Sequence, residues 1–192
     1  MFKELVLKNR SVRRYDNSFS ISRKQLEDLV ELARCSPCAA NLQNLRFYLS
    51  CEEEFNQHIF KHVKWANYLR YWDGPAPQEA PSAYILILCS KDCGKFHLLD
   101  TGIAAQTMLL GATELGLSGC MIASMDKSAI QTALGLPEEY DLVLTIALGK
   151  AAEKIMLEDV IDPDDIEYYR DDEGVHHVPK RSLRDLIIDS GK

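Results

Sequence analysis

The stretch AYILILC, residues 83–89, is apolar at every position. An unbroken apolar run of this length is typical of a strand that is buried on both faces. A second run, LVLTIAL at residues 142–148, is interrupted only by a threonine, and Gly149 follows it. Helical patterns lie before, between and after these runs, so the sequence predicts an α+β or α/β domain.

A long helix is predicted between the two runs, from about Leu98 to Leu117. It is rich in small residues, namely Gly102, Ala104, Ala105, Gly111 and Ala112. Because small residues let backbones approach closely, we expect this helix to pack on all sides or against a partner subunit.

Caps and helix breakers predict most of the other elements. Ser22 and Gln25 form a capping box for a helix that Pro37 interrupts. Asp126 is expected to cap a helix that ends at Gly135. The remaining predicted elements are strands at residues 46–50 and 119–123 and helices at residues 1–9 and 55–69.

Residues 151–192 form a tail for which no helix or strand is predicted. The tail is acidic at first and becomes basic at Lys180, Arg181 and Arg184. It is too long for a simple loop, so we expect it to wrap over another surface. The whole chain, residues 1–192, is predicted to be one domain with this tail as its C-terminal extension.

Length and charge exclude several classes of protein. The chain has 192 residues, of which 46% are hydrophobic, and a formal net charge of −7 with a sequence pI near 5.3. This composition indicates a globular protein and argues against a general nucleic-acid binder. No apolar run approaches the roughly 20 residues that cross a bilayer, and the first nine residues lack a signal-peptide core. We therefore expect a cytoplasmic protein with no membrane or nucleic-acid partner.

The cysteines allow three interpretations. Cys35 and Cys38 form one close pair, and Cys89 and Cys93 form another. Without a secretory signal a disulfide framework is not expected, and buried or incidental thiols are the favoured interpretation. A zinc site is an alternative, although the pairs are farther apart than the ~15–20 residues usual between zinc half-sites. A redox dithiol at Cys35 and Cys38 is another, although a helix rather than a strand is predicted before it.

A basic cluster at residues 8–14, KNRSVRR, stands out in this acidic chain. One interpretation is a solvated helix end, because cations are favoured near a helix C-terminus. The other is a phosphate site, because arginine presents paired donors that match phosphate oxygens and Ser11 adds a hydroxyl. Lys180 and Arg181 are a second candidate pair of phosphate-binding cations.

Several short motifs occur in the order typical of one family. They are NRSVRRYD at residues 9–16, SPCAANLQ at 36–43, DTGIAAQ at 100–106, GLSGCMI at 116–122, ALGLPE at 133–138, ALGK at 147–150 and KRSL at 180–183. Together they resemble the FMN-dependent nitroreductase family over nearly the whole chain. Three positions depart from the family pattern: Asn9 replaces an arginine, Cys38 a serine and Asn44 a proline.

This resemblance implies an architecture. The expected fold is a three-layer α/β/α sandwich with a central, mostly antiparallel sheet. The expected assembly is a homodimer that binds FMN at the subunit interface, with residues 151–192 wrapping the partner subunit. An interface of this kind is large and apolar, which suits the helix rich in small residues.

The resemblance also implies which residues bind FMN. Arg10, together with Lys180 or Arg181, would hold the phosphate, and Ser11 would contact the ribityl chain. Arg13 would lie near the pyrimidine edge of the ring, where a cation stabilises the charge gained on reduction. Asn41 and Gln43 would reach across from the partner subunit to the edge of the ring. The other implied contacts are Pro37 and Cys38, backbone groups around Ile122 and Ala123, and Gly149 and Lys150.

The implied activity is a ping-pong reduction. NADH or NADPH would be the electron donor, and nitroaromatics, quinones or similar planar compounds would be the acceptors. Since the flavin carries the chemistry, no catalytic side chain is assigned. His97, His176 and His177 show no metal-ligand spacing with a carboxylate and are expected to be surface or core residues.

Alternatives to this activity stay open. The same fold could perform another flavin reaction, such as enone reduction or dehalogenation, with residues 60–80 setting the specificity. A non-enzymatic flavin-binding protein and a zinc protein are the other two. The aromatic residues Trp65, Tyr68, Tyr71 and Trp72 would form either a lid over planar acceptors or a packed helix face.

Overall fold

The fold is built on a four-stranded antiparallel sheet. We analysed a computed structural model that describes residues 1–188. The strands are β1 (Leu45–Ser50), β2 (Ala83–Ser90), β3 (Ser118–Ile122) and β4 (Tyr140–Gly149). Their order is β1-β2-β4-β3, so the two apolar runs predicted to be buried strands lie side by side in the middle. β3 lies at an edge of the sheet, which matters for the site described below.

Six helices accompany the sheet in the described part of the chain. They are α1 (Phe2–Lys8), α2 (Arg23–Arg34), α3 (Glu53–His62), α4 (His97–Glu114), α5 (Lys127–Leu134) and α6 (Leu183–Leu186). The predicted caps are confirmed, because the side chains of Ser22 and Asp126 accept backbone hydrogen bonds at the starts of α2 and α5. Gly135 ends α5 in the left-handed conformation, with φ of 60°.

Alternate residues of β2 face two separate layers of the core. On one face, Ile85 and Ile87 join a buried cluster with residues of α2 and α4. On the other face, Tyr84 and Leu86 join a second cluster with residues of α3 and α5. The result is a three-layer α+β sandwich around an antiparallel sheet, which confirms the predicted fold class.

One predicted helix is too long. The helix predicted at residues 55–69 ends at His62, because the chain becomes extended at Val63 and pairs with Met125. The N–H of Lys64 then donates to the carbonyl of Ser124 at 2.9 Å. Residues 64–73 consequently form an irregular segment beside the end of β3.

The tail contains strands that the sequence did not predict. β5 (Ile155–Asp159), β6 (Tyr169–Arg170) and β7 (His176–Lys180) form a small sheet in the order β5-β7-β6. β5 and β7 run parallel, and β6 and β7 antiparallel. Their sequences carry charges, histidines and a proline, so no apolar run marks them. The tail therefore differs from the expectation in containing strands at residues 155–180, while its wrapping of the partner subunit stays a prediction.

The cysteine pairs differ from each other. Cys89 and Cys93 are joined in a disulfide, so the expectation of incidental thiols is wrong for this pair. Cys35 and Cys38 are free, as are Cys51 and Cys120. Within residues 1–188, no group of three or more histidine, cysteine or acidic side chains is arranged to hold a metal ion. None of the described helices is long and apolar enough to span a membrane.

Candidate functional site

The basic cluster lies along the edge of the central sheet. Ser11 forms a parallel bridge with Gly119 of β3, and the N–H of Val12 donates to the carbonyl of Gly119 at 3.1 Å. A Cβ atom at position 119 would lie 2.6 Å from the carbonyl oxygen of Ala147. The absence of a side chain at Gly119 therefore lets β3 lie close to β4 and to Leu109 of α4, while the backbone of Gly119 binds the segment that carries Arg10, Ser11 and Arg13.

A cavity of about 400 Å³ opens between this segment and the tail. We call it the basic cavity, and its walls include Arg10, Ser11, Arg13, His176 and Lys180. The remaining lining residues are Val6, Asn9, Gln106, Leu109, Gly119, Met121, Tyr168 and Val178. None of these lining residues is acidic, so the cavity is suited to an anion.

A buried carboxylate holds the segment in place. Glu153, whose side chain is 1% exposed, accepts hydrogen bonds from the backbone N–H groups of Arg13 at 2.5 Å and Arg14 at 3.2 Å. Its second oxygen accepts from Arg170 at 2.8 Å. Glu153 thereby binds the backbone of the segment and forms no salt bridge with the side chain of Arg13.

The cations of the cavity are not paired with acidic side chains. Among the described residues, Arg10, Arg13 and Lys180 form no salt bridge. Arg10 instead donates to the carbonyl of Val6 at 2.8 Å, and its partial burial lowers the pKa of its guanidinium. Their charges are therefore available to a ligand anion.

A second cavity, of about 440 Å³, adjoins the basic cavity. We call it the strand-end cavity because Ile122 and Ala123, at the end of β3, form one wall. The irregular segment forms the other wall and contributes Trp65 and Trp72. Arg13 and Met121 line both cavities, so the two cavities meet at these residues.

Aromatic and cationic side chains attach the irregular segment to the tail. The N–H of Tyr68 donates to the hydroxyl of Tyr168 at 3.4 Å, and their ring centroids are 5.0 Å apart. The guanidinium of Arg13 lies 5.0 Å from the centroid of the Tyr168 ring. The Trp72 ring lies 4.7 Å from the guanidinium of Arg170. These contacts make residues 64–73 a roof over the strand-end cavity, supported by the tail.

The predicted partner-facing loop lies at a third cavity, of about 410 Å³. Pro37, Cys38, Asn41 and Gln43 all line it. None of these four lines the basic cavity or the strand-end cavity of the same chain. The loop is held by Asp100, whose carboxylate accepts from the N–H of Ala39 at 2.8 Å.

The backbone of this loop is strained. Asn41 and Gln43 have φ angles of 54° and 51°, and Ala40 has 49°. Each non-glycine residue in this left-handed region costs of order 1–3 kcal/mol, and such residues concentrate at functional sites. Asn41 and Gln43 are both exposed in their own chain.

Three predicted site residues lie away from these cavities. Gly149 packs against Tyr15, whose ring lies 2.6 Å from where a Cβ atom would be. Lys150 is exposed, with its ammonium 6.0 Å from the ring of Phe19. Arg181 donates to the carbonyl of Pro163 at 2.7 Å. Of the two tail cations, Lys180 therefore lines the basic cavity and Arg181 does not.

Comparison with known proteins identifies the fold and its family. Residues 6–150 match the family model described as "Nitroreductase family". The chain belongs to the nitroreductase family. Among curated proteins it is 27% identical to "Putative NAD(P)H nitroreductase YdgI" of Bacillus subtilis, over 80% of this chain and 90% of that protein.

Solved structures of nitroreductase-family proteins share the fold. One from Streptococcus pneumoniae superposes with a TM-score of 0.70 at 18% identity, covering 88% of this chain and 100% of that one. Another, from Exiguobacterium sibiricum, was determined in complex with FMN. It gives a TM-score of 0.66 at 20% identity, over 80% of this chain and 89% of that one. At these identities the likeness concerns the fold alone.

The departure from the nitroreductase pattern at position 9 has a structural explanation. Asn9 is buried, and its amide donates to the carbonyl of Leu109 at 3.0 Å and to the hydroxyl of Thr113 at 2.9 Å. Gln106 donates to its oxygen at 3.1 Å. Asn9 therefore fastens the basic segment to α4.

Sequence reasoning missed residues that the tail contributes to the site. Glu153, Tyr168 and His176 were given no role, yet the first holds the basic segment and the other two line the basic cavity. The one available signal was the alternation in HHVPK at residues 176–180, which places His176 and Lys180 on the same face of a strand.

Proposed function

We propose that this nitroreductase-family chain is an FMN-dependent oxidoreductase. In this proposal it uses NAD(P)H to reduce nitroaromatics, quinones or similar planar acceptors. The observation that carries it is the basic cavity, where unpaired cations from both ends of the chain meet beside the edge of the sheet. Family membership supports the oxidoreductase class, and the FMN complex of the E. sibiricum protein supports the choice of cofactor.

The residues present fit FMN. Arg10 and Lys180 would bind the phosphate, since a dianion needs cations and the cavity walls contain no carboxylate to oppose it. Ser11 would contact the ribityl chain. Arg13, which lines both cavities, would lie where the polyol meets the ring, and Ile122 and Ala123 would face the ring in the strand-end cavity.

Bound FMN would supply the two-electron chemistry between the donor and the acceptor. The contribution of the protein would be binding, orientation and electrostatics. The guanidinium of Arg13 would stabilise negative charge on the pyrimidine edge, because a fixed cation in a partly dry cavity needs no reorganisation. No side-chain nucleophile is needed, and none is assigned.

We also propose that the chain acts as a homodimer. Asn41 and Gln43 are exposed and line neither the basic cavity nor the strand-end cavity of their own chain, so they would complete the flavin site of a partner subunit. Large apolar side chains are exposed where a partner would cover them. They are Phe2 of α1, Leu98, Leu99 and Ile103 of α4, and Leu183, Leu186, Ile187 and Ile188 at the end of the tail.

The division of the tail is part of this dimer proposal. Residues 151–180 pack on their own chain through Glu153, Tyr168 and the small sheet. The exposed apolar residues 183–188 would be the portion that wraps the partner subunit. Residues 189–192, the end of the predicted extension 151–192, lie outside the described part of the chain.

The roof over the strand-end cavity would set which acceptors are reduced. Trp65 and Trp72 line this cavity and offer flat surfaces against which a planar acceptor would stack. Donor and acceptor would use this same opening in turn, which is why a ping-pong mechanism is proposed. Cytoplasmic location is part of the same proposal, since reduced nicotinamides are its electron source.

The test begins with the purified protein. We expect flavin absorption bands and release of FMN on denaturation, in about one equivalent per subunit. Steady-state rates with varied NADH or NADPH at several fixed quinone concentrations should give parallel double-reciprocal lines. A protein that takes up no FMN would reject the flavin assignment, and intersecting lines would reject the ping-pong order.

A further inference from the structure

His176 is a buried polar residue to which the proposed function gives no role. Its side chain is fully buried, and neither ring nitrogen has a hydrogen-bond partner within the described chain. Folded proteins ordinarily satisfy buried polar groups, so an unsatisfied imidazole calls for a reason. His176 is one of the residues that line the basic cavity, where a ligand would supply the missing partners.

The position of His176 along β7 indicates which part of a flavin it would meet. His176, Val178 and Lys180 are alternate residues of this strand, and all three line the cavity. At ~3.3 Å per residue, His176 and Lys180 are separated by roughly 13 Å along the strand. His176 is therefore well removed from the cation proposed to bind the phosphate.

His176 is close to the other end of the proposed flavin site. The ring of Tyr168 stacks on it with centroids 5.3 Å apart, and the guanidinium of Arg13 lies 5.0 Å from the Tyr168 ring. Arg13 is the residue proposed to face the pyrimidine edge. The part of FMN that connects the phosphate to the ring is the ribityl chain, which carries hydroxyl groups.

The protonation state of His176 suits hydroxyl groups. Its pKa is lowered to about 4, chiefly by burial; the nearby charge of Glu153 opposes this shift, and those of Arg13 and Arg170 contribute to it. The neutral imidazole has one N–H donor and one acceptor nitrogen. A hydroxyl group both donates and accepts, whereas the oxygens of a phosphate dianion only accept.

We propose that His176 binds the ribityl hydroxyls of the flavin, donating a hydrogen bond from one ring nitrogen and accepting one at the other. It thereby favours flavins that carry a polyol. This inference rests on the proposed function. Tyr168 stacks on the face of the His176 ring and leaves the ring nitrogens, which lie at the edge, to the ligand. The side chains of Arg13 and Tyr168 would change their rotamers as the ligand enters.

The test compares three flavins that differ in one part each. FMN carries the polyol and the phosphate, riboflavin only the polyol, and lumiflavin neither. Dissociation constants are measured by flavin fluorescence for the wild type, His176→Phe and His176→Gln. In His176→Phe we expect about tenfold weaker binding of FMN and of riboflavin and unchanged binding of lumiflavin. His176→Gln keeps a donor and an acceptor and should stay within about threefold of the wild type.

His177→Gln is the matched control, since it changes the neighbouring histidine, whose side chain does not line the cavity. It should leave the ratios among the three dissociation constants unchanged. A loss confined to FMN, an equal loss for all three flavins, or no loss would each overturn the inference. A wild-type protein that binds FMN keeps the proposed function intact in those cases, whereas one that binds no flavin overturns both.

A second measurement does not depend on affinity. In protein labelled with ¹⁵N-histidine, riboflavin should shift the ring-nitrogen resonances of His176, and inorganic phosphate alone should leave them in place. Resonances that respond to phosphate and not to riboflavin would contradict the assignment to the polyol.

Discussion

Glu153 accepts a hydrogen bond from the backbone N–H of Arg13 at 2.5 Å, although 140 positions separate them in the sequence. This contact joins the start of the tail to the basic segment. Because the carboxylate is bound to backbone groups, it fixes the course of the chain without neutralising the arginine side chains that line the basic cavity.

Replacing Glu153 should therefore affect both stability and cofactor binding. In Glu153→Ala, two backbone donors and the guanidinium of Arg170 lose a buried partner, so the free energy of unfolding should fall by about 3 kcal/mol. Glu153→Gln keeps an acceptor oxygen and should lose less. Urea unfolding measures the free energy of unfolding of both Glu153 variants. Glu167→Ala, at an exposed position, is the control and should stay within about 0.5 kcal/mol of the wild type. Equal stability of the two Glu153 variants and the control would contradict this role.

Lys180 and Arg181 should differ sharply in phosphate binding. Lys180 lines the basic cavity, so Lys180→Ala should weaken FMN binding about tenfold or more and leave riboflavin binding unchanged. Arg181 bonds to Pro163 and Asp164, so Arg181→Ala should change FMN affinity less than twofold. The two variants are matched in charge, because each removes one positive charge and the two positions are adjacent in the sequence. The reverse order of effects would assign the phosphate contact to Arg181.

Two glycine-to-alanine substitutions should have opposite signs. At Gly119 the new Cβ would lie 2.6 Å from a backbone oxygen of Ala147, so Gly119→Ala should destabilise the fold by about 2 kcal/mol. At Gly102 nothing of the same chain lies within 4 Å, so Gly102→Ala should stabilise α4 of the separated subunit by about 0.5–1 kcal/mol. Thermal unfolding of the two variants in parallel measures this. Destabilisation by both would mean that the partner subunit proposed to cover Leu98, Leu99 and Ile103 also packs against Gly102.

His177 should make stability depend on pH above neutrality. Its ring nitrogens contact the carboxylates of Glu158 and, at 2.9 Å, Asp171, which raises the pKa of His177. A raised pKa in the folded state gives a contribution that is full below about pH 6.5 and is lost as pH rises through the raised value. Wild-type protein should accordingly lose more stability between pH 6 and pH 8.5 than His177→Gln. Parallel pH dependences of the two proteins would refute this.

The contact between His177 and Asp171 should also make stability depend on pH in the acidic range. The pKa of Asp171 is lowered, chiefly by His177, so its contribution is present above about pH 3.8 and is lost as pH falls through the lowered value. The pKa of His176 is lowered to about 4, so the buried neutral ring also makes the fold less stable as pH falls below about 6.5. This effect is the same in the wild type and in His177→Gln. The comparison with His177→Gln therefore isolates the contribution of the contacts between His177 of β7 and the carboxylates of Glu158 and Asp171.

The central sheet was predictable because burial on both faces leaves a direct mark on the sequence. The apolar runs of β2 and β4 and the caps Ser22 and Asp126 are local signals, and the structure confirms each of them. The tail strands have no such mark, because β7 carries two histidines, a proline and a lysine in five residues. Their pairing depends on contacts with residues far away in the chain.

The candidate site was only partly predictable for the same reason. The arginines of residues 10–13 were found from their local charge density and their resemblance to a family motif. The roof was mistaken for helix because its aromatic spacing fits one, whereas the pairing of Val63 with Met125 prevents it. The wall formed by Tyr168 and His176 requires the tail to fold back, which no local pattern encodes.

The tail has a consequence for how such a protein diversifies. The family match ends at residue 150, yet Glu153, Tyr168, His176 and Lys180 form or support much of the basic cavity. The part of the chain that matches the family model thus supplies the central sheet, while the tail beyond it supplies part of the cavity wall. Substitutions at the tail residues that line the cavity, such as Lys180, could therefore adjust cofactor retention while Glu153 and the central sheet are kept.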